Sequence, residues 1–206
     1  MAQKTDSPIF FRPAHWALHH SRTIWLSPTP SRPSKGWDAA CPRILTIGLF
    51  QHRETRKRVL ALNTHLDHRG EVSRAESAKI IVETIRQYLG SQEWRGGDGQ
   101  GLNVFLTGDM NSEDHGAAYR VLESTASLVA DVLRLVPEDQ RHGHYNTGTG
   151  FGRGEDAGER IDYVFLGKQG IGWSGKAVMY GVLGNRERGI YISDHRAVVA
   201  DVVLGG

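Results

Sequence analysis

The residues of this chain that can do chemistry collect beside apolar runs. Residues 59–62 lead into Asn63, Thr64, His65, Leu66, Asp67 and His68. Residues 104–106 lead into Thr107, Gly108, Asp109, Met110 and Asn111. Arg160, Ile161 and Asp162 open a third run, and Ser193, Asp194, His195 and Arg196 precede a fourth. Side chains two apart on an extended segment point the same way, so Asp109 and Asn111 project together. Gly108 permits a close backbone turn there. A carboxylate beside a neutral amide can hold a metal ion or a water, while the amide donates to a phosphoryl oxygen. A capped turn uses the same residue types. A histidine serving as general base needs a partner on its other ring nitrogen to fix its tautomer, and Asp162 is the candidate partner of His195. A surface ion pair is the plain alternative. The four segments favour chemistry because they occur together and in this order.

A second pattern overlaps the first. Asn63, His65, Asp67 and His68, followed by Gly70, come close to the His-x-His-x-Asp-His signature of metallo-β-lactamase-fold hydrolases. There the histidines and the aspartate bind two metals. Here Asn63 stands at the first histidine position, and the downstream histidines are poorly placed for that family.

These residues need strands to hold them. Residues 9–11, 16–19 and 23–26 read as short strands broken by Pro13 and Pro28. Residues 44–50 and 59–64 read as a hairpin, with Arg53, Arg56, Lys57 and Arg58 decorating its turn. Residues 71–89 carry Ala78, Ile81, Val82, Ile85, Tyr88 and Leu89 at helical spacing, and Gly90 is placed to end that helix. Residues 91–101 form a Gly-rich loop. Residues 102–106 have the continuous apolar pattern of a strand buried on both faces. Residues 114–123 suit a second helix, and 142–158 read as a long functional loop. Residues 161–166, 177–182 and 197–204 close the chain as strands. The mixture predicts a layered α/β protein with a mixed sheet.

Bulk properties narrow the options less. The chain has 206 residues, enough for one domain, and a formal charge of +2, which permits a nucleic-acid partner without arguing for one. Cys41 is its one cysteine, so an intrachain disulfide and a Cys-based zinc site are both excluded. No apolar run approaches the roughly 20 residues that cross a bilayer as a helix. Residues 1–8 lack an apolar core of signal-peptide length. The chain as written is expected to be cytoplasmic and monomeric, with a signal peptide in a preceding segment left open.

Taken together, the four segments resemble the endonuclease/exonuclease/phosphatase superfamily, which has the fold of DNase I. Asn63, Thr64, His65 and Leu66 look like its strand-end histidine motif, and Gly108 to Asn111 like its Gly-Asp-x-Asn motif. Arg160 to Tyr163 and Ser193 to His195 match its last two motifs. Residues 34–43 resemble a stretch found in a bacterial and fungal branch. The resemblance implies a β-sandwich flanked by helices and hydrolysis of a phosphoester, whether nucleic acid, phosphoinositide or small phosphodiester. It implies that His195, oriented by Asp162, deprotonates the attacking water. Asp109 would position that water, Asn111 would hold the phosphate, and His65 would bind a phosphoryl oxygen or assist the leaving group. Asp194, with Asp109 and Asn111, would hold Mg2+ or Mn2+. Trp37, Arg43 and Phe151 would line the substrate cleft.

The family also carries an Asn on its first strand and a metal-binding Glu on the next. Neither has a counterpart here, and Asp6 and Asp38 carry no mark of replacing them. The chain is therefore expected to be a domain over 1–206 that lacks the first strands and helix, with unpaired sheet edges and exposed apolar surface. Three readings remain: an active phosphoesterase, a catalytically weak or inactive binding module of the same fold, and a metallo-β-lactamase-like hydrolase.

Overall fold

The computed structural model describes residues 6–94, 101–152 and 158–205. Part of the Gly-rich loop expected at 91–101 and part of the loop expected at 142–158 lie outside them. The chain begins with an antiparallel meander of β1 (Trp16–Trp25), β2 (Ile44–His52) and β3 (Arg58–His65). Helix α1 (Glu71–Gly90) then crosses over to β4 (Leu102–Asp109), which lies parallel to β3. Next come α2 (Ala117–Leu122), β5 (Val129–Asp131), α3 (Val132–Leu135) and β6 (Arg141–Gly143). The chain ends with β7 (Asp162–Gly167), β8 (Lys176–Val182), β9 (Arg186–Glu187), β10 (Ile190–Tyr191) and β11 (Val198–Val203). One sheet has the order β1-β2-β3-β4-β7-β5, a second has β11-β8-β6, and β9 and β10 pair as a small hairpin.

Two predicted elements differ. The separate strands expected at 16–19 and 23–26 are one strand, because a register shift between Leu18 and His20 absorbs the irregular stretch without ending the ladder. Residues 9–11, expected as a strand, pair with nothing in either sheet. The short β5, α3 and β6 were not foreseen, since three or four residues carry too little periodicity to read.

The alternation of β4 and β7 builds two cores. Val104 and Leu106 on β4, with Tyr163 and Phe165 on β7, pack with Ala78, Ile81 and Ile85 of α1. Phe105, Val164 and Leu166 face the other way, toward Trp173, Tyr180 and Val182 of the second sheet. Each fully buried Leu or Ile of these clusters stabilises the fold by roughly 1.5–3 kcal/mol. An apolar groove of about 480 Å3 opens between the sheets, lined by Phe11, Trp16, Phe50, Phe105, Val202 and Leu204.

Helix α1 starts at Gly70, which has no side chain to cap it. Asp38 does so from a distant loop, accepting the N–H groups of Val72 at 3.2 Å and Ser73 at 2.7 Å. A carboxylate there also opposes the positive end of the helix dipole. Asp38 is thus a helix cap, and it ties the 34–43 loop to the first turn of α1.

Candidate active site

Sheet order places three of the predicted site residues in a row. The parallel register of β3 and β4 sets His65 beside Asp109, and the antiparallel register of β4 and β7 sets Asp109 beside Asp162. Neighbouring strands lie about 4.8 Å apart, so the three side chains emerge shoulder to shoulder. The strands come this close partly because of Gly108. Its φ is +146°, and a Cβ there would meet the Thr64 carbonyl oxygen at 1.9 Å.

His195 arrives from the loop before β11. Its Nδ1 lies 2.8 Å from Asp162 Oδ2. Asp109, Asp162 and His195 each present a ligand atom within 4.8 Å of the others. His65 Nε2 sits 3.3 Å from Asp109 Oδ2. Asn111, held at φ +45°, donates its backbone N–H to Asp109 Oδ1 at 2.8 Å. Its side-chain amide donates to the Leu66 carbonyl at 2.9 Å and to Asp109 Oδ2 at 3.4 Å. Those hydrogens, expected to hold phosphate, are directed at Leu66 and Asp109; the oxygen Oδ1 is the atom of Asn111 left for a ligand.

The electrostatics follow from this packing. Burial and the neighbouring Asp162 push the Asp109 carboxyl up to about 6. The hydrogen bond to Asp162 raises His195 to about 9. Burial and the Arg43 charge lower His65 to about 4, so it is neutral at pH 7. Asp109 thereby links pH to stability. Its folded pKa lies above its unfolded value, so the folded state holds the proton more tightly, and its contribution to stability falls as pH rises from about 4 to 6. His65, lowered to about 4, acts in the opposite direction over the same window. The Asp109 contribution, on the order of 2 kcal/mol, is therefore read in EDTA as the difference between the parent and Asp109→Asn. Urea titrations at several pH values check this: the stability of Asp109→Asn should rise more steeply with pH than that of the parent, and identical slopes in the two would contradict it.

The remaining predicted residues stand outside this row. Asp194 is exposed, outside the three-residue group, on the wall of a cavity of about 240 Å3 that includes His195, Thr149 and Ile161. Arg43 sits close enough to act electrostatically on His65 and Asp109. Its Nη2 lies 3.3 Å from His68 Nδ1, and its Nε is buried without a hydrogen-bond partner. Trp37 and Phe151 are exposed, at 39% and 58%, and both have left-handed backbone with φ of +54° and +59°. Such conformations cost non-glycine residues about 1–3 kcal/mol and gather at functional sites. Among the described residues, no hydrogen bond joins Trp37 or Phe151 to the row.

Cys41, Asp67 and His68 also bring ligand atoms within 4.8 Å of one another. Asp67 is poorly suited to a metal, however. Its Oδ1 receives the N–H groups of Arg69 and Gly70, its Oδ2 that of Cys41, and the Arg43 Nε lies 3.9 Å away. Asn63 meanwhile donates to the Pro8 carbonyl. The metallo-β-lactamase-like use of these residues is therefore corrected: Asp67 is a buried backbone anchor.

Sequence reasoning missed two supports of the row. Arg160, 3% exposed, puts Nη2 2.8 Å from Asp131 Oδ1 and stacks 4.4 Å from the Tyr163 ring centroid. Thr147, fully buried, hydrogen-bonds to the Asp162 segment. The apolar run after Arg160 hinted that it would be buried; nothing local marked Asp131 or Thr147 as partners.

A two-sheet sandwich with helices outside one sheet, and a carboxylate-histidine row at its strand ends, defines a DNase I-like α/β protein. The family model for the Endonuclease/Exonuclease/phosphatase family matches residues 28–195, and the chain belongs to that family. Its members include phosphatases and nucleases, and it is accordingly a hydrolase-family protein. Among solved structures, an endonuclease/exonuclease/phosphatase from Bacteroides vulgatus is 28% identical with a TM-score of 0.81; the match covers 94% of this chain and 68% of that one. A mannosyl-6-phosphatase from Bacteroides thetaiotaomicron is 29% identical with a TM-score of 0.80, covering 94% and 69%. TDP2 from D. rerio, complexed with a single-strand DNA product, shares the fold at 17% identity and a TM-score of 0.65, covering 94% and 70%. A search of curated proteins finds no match. No described helix is long and apolar enough to cross a membrane.

Proposed function

We propose that this chain hydrolyses phosphoesters with the help of a divalent cation, Mg2+ or Mn2+, and that His195 is its general base. The observation carrying this is the 2.8 Å contact of His195 Nδ1 with Asp162, beside Asp109 in the same cluster. The donor set fits a hard cation. Asp109 and Asp162 are oxygen donors crowded together, and Asp109 is raised by burial and by that crowding, a cost that bound positive charge relieves. Asn111 Oδ1 and the exposed Asp194 carboxylate add further oxygens. When bound, the cation supplies Lewis-acid polarisation of a phosphoryl oxygen and positive charge that opposes protonation of His195.

The protein's own residues do the rest. With Nδ1–H given to Asp162, His195 keeps Nε2 for the proton of an attacking water. Asp109 orients that water. Neutral His65 donates a hydrogen bond to a phosphoryl oxygen or the leaving group. Arg43, with donors to spare in its fork, holds the phosphate, and Trp37 and Phe151 contact the remainder of the substrate.

The Bacteroides mannosyl-6-phosphatase adds sugar phosphomonoesters to the candidate substrates. The test is release of p-nitrophenol from p-nitrophenyl phosphate and its bis-ester. Turnover should need Mg2+ or Mn2+, stop in EDTA and return when metal is added back. A folded chain inert toward both esters and toward a panel of sugar phosphates and oligonucleotides would overturn the reading in favour of a binding module.

A further inference from the structure

The dyad of Asp162 and His195 joins two segments 33 residues apart in sequence. Neither lies in a ladder with the other. Asp162 starts β7 in the first sheet, whereas His195 precedes β11 in the second. Their register must come from whatever bridges them, and the bridge is the segment around Thr147.

The Thr147 hydroxyl accepts the N–H groups of Ile161 and Asp162, both at 3.0 Å. Its carbonyl accepts the N–H of Arg196 at 2.7 Å. The next residue, Gly148, pairs with His195 in an isolated β-bridge. One buried residue thus grips the backbone of Asp162 with its side chain and the backbone next to His195 with its main chain. Thr149 extends the grip: its N–H and hydroxyl both donate to the Asp194 carbonyl. Asn185, also buried, donates from Nδ2 to the Thr149 hydroxyl at 2.7 Å and to the Ser193 carbonyl at 2.8 Å.

We propose that Thr147 is the positioning residue of the Asp162–His195 dyad, its hydroxyl holding Asp162 in reach of the segment that its carbonyl holds at His195. It touches neither substrate nor metal in this role, which rests on the catalytic reading given above. A methyl in place of the hydroxyl leaves two partly buried N–H groups without this acceptor, and they relax by moving Asp162. Displacements of about 1 Å in such pairs cost on the order of 10²-fold in rate.

The test compares Thr147→Val, nearly the same shape, with Thr147→Ser, which keeps the hydroxyl. Thr147→Val should lower kcat by about 30- to 100-fold with KM changed less than about threefold. Thr147→Ser should restore kcat to within about threefold of the parent chain. Independently of turnover, NMR of the metal-free chain should show the downfield Nδ1-bound proton of His195 in the parent and Thr147→Ser, displaced or lost in Thr147→Val. If the parent is inactive yet this pattern holds, the catalytic reading fails and the positioning role stands. A folded Thr147→Val with parental His195 signal overturns the proposal. Should Thr147→Val not fold, amide exchange in the parent decides: Ile161 and Asp162 must be as protected as Arg196, and fast exchange at either overturns it.

Discussion

Replacing His195 with alanine is expected to lower turnover of a phosphoester by about 10³-fold while leaving the fold intact. The side chain is partly exposed and lies at the end of a loop, so its loss opens no core cavity. What disappears is the group that takes a proton at Nε2. Asp162→Asn should have a smaller but related effect, about 10²-fold, because an amide can donate to Nδ1 and so favour the wrong tautomer of the imidazole. Steady-state kinetics with saturating Mg2+ measures both, alongside circular dichroism as a check on folding. The electrostatics add a second signature. His195 lowers the pKa of Asp109, so its removal should push Asp109 further up and make the change of metal-free stability between about pH 4 and 6 more negative than in the parent. Parental turnover in His195→Ala would remove this histidine from the mechanism.

Breaking the buried pair of Arg160 and Asp131 is expected to be the most destabilising single change near the site. Asp131 is fully buried, and its oxygens receive hydrogen bonds from Arg160, the Leu133 N–H at 3.1 Å and the Tyr119 hydroxyl at 2.8 Å. Asp131→Ala leaves the Arg160 guanidinium buried without its anion, which costs about 3–5 kcal/mol. Replacing both partners with apolar residues, as in Asp131→Leu with Arg160→Met, removes the uncompensated charge and should recover much of that loss. Urea denaturation of the two single variants and the pair measures the coupling. A loss below about 1 kcal/mol in Asp131→Ala would mean that water or another group replaces the carboxylate. Because Arg160 stands two residues before Asp162, the apolar pair should also turn over more slowly even where its stability returns.

Much of the fold was legible because its elements announce themselves locally. The hairpin of β2 and β3 follows from two apolar runs around a charged turn. Helix α1 follows from one stripe at helical spacing, and β4 from an unbroken apolar run. The strand-end residues His65, Asp109, Asn111, Asp162 and His195 stood out because polar and ionisable groups directly beside buried strands need a reason. Trp37, Arg43 and Phe151 entered through a resemblance, and the structure adds a buried Arg43 Nε that makes no hydrogen bond and the left-handed backbone of the two aromatics.

The sequence by itself determined which residues could do chemistry and that strands would present them. Type and spacing are local properties, and a strand end is a local event. Only the tertiary structure decided who stands beside whom. The order β3-β4-β7 turns three separate motifs into one row, and that order depends on long-range pairing that no window of sequence contains. The same holds for Asp38 at the helix start, Asp67 among backbone N–H groups, and Asp131 against Arg160. Each carboxylate was visible as a charge, but its work depends on at least one partner 26 or more residues away. A buried carboxylate needs several donors at once, and only a folded chain assembles them from distant segments.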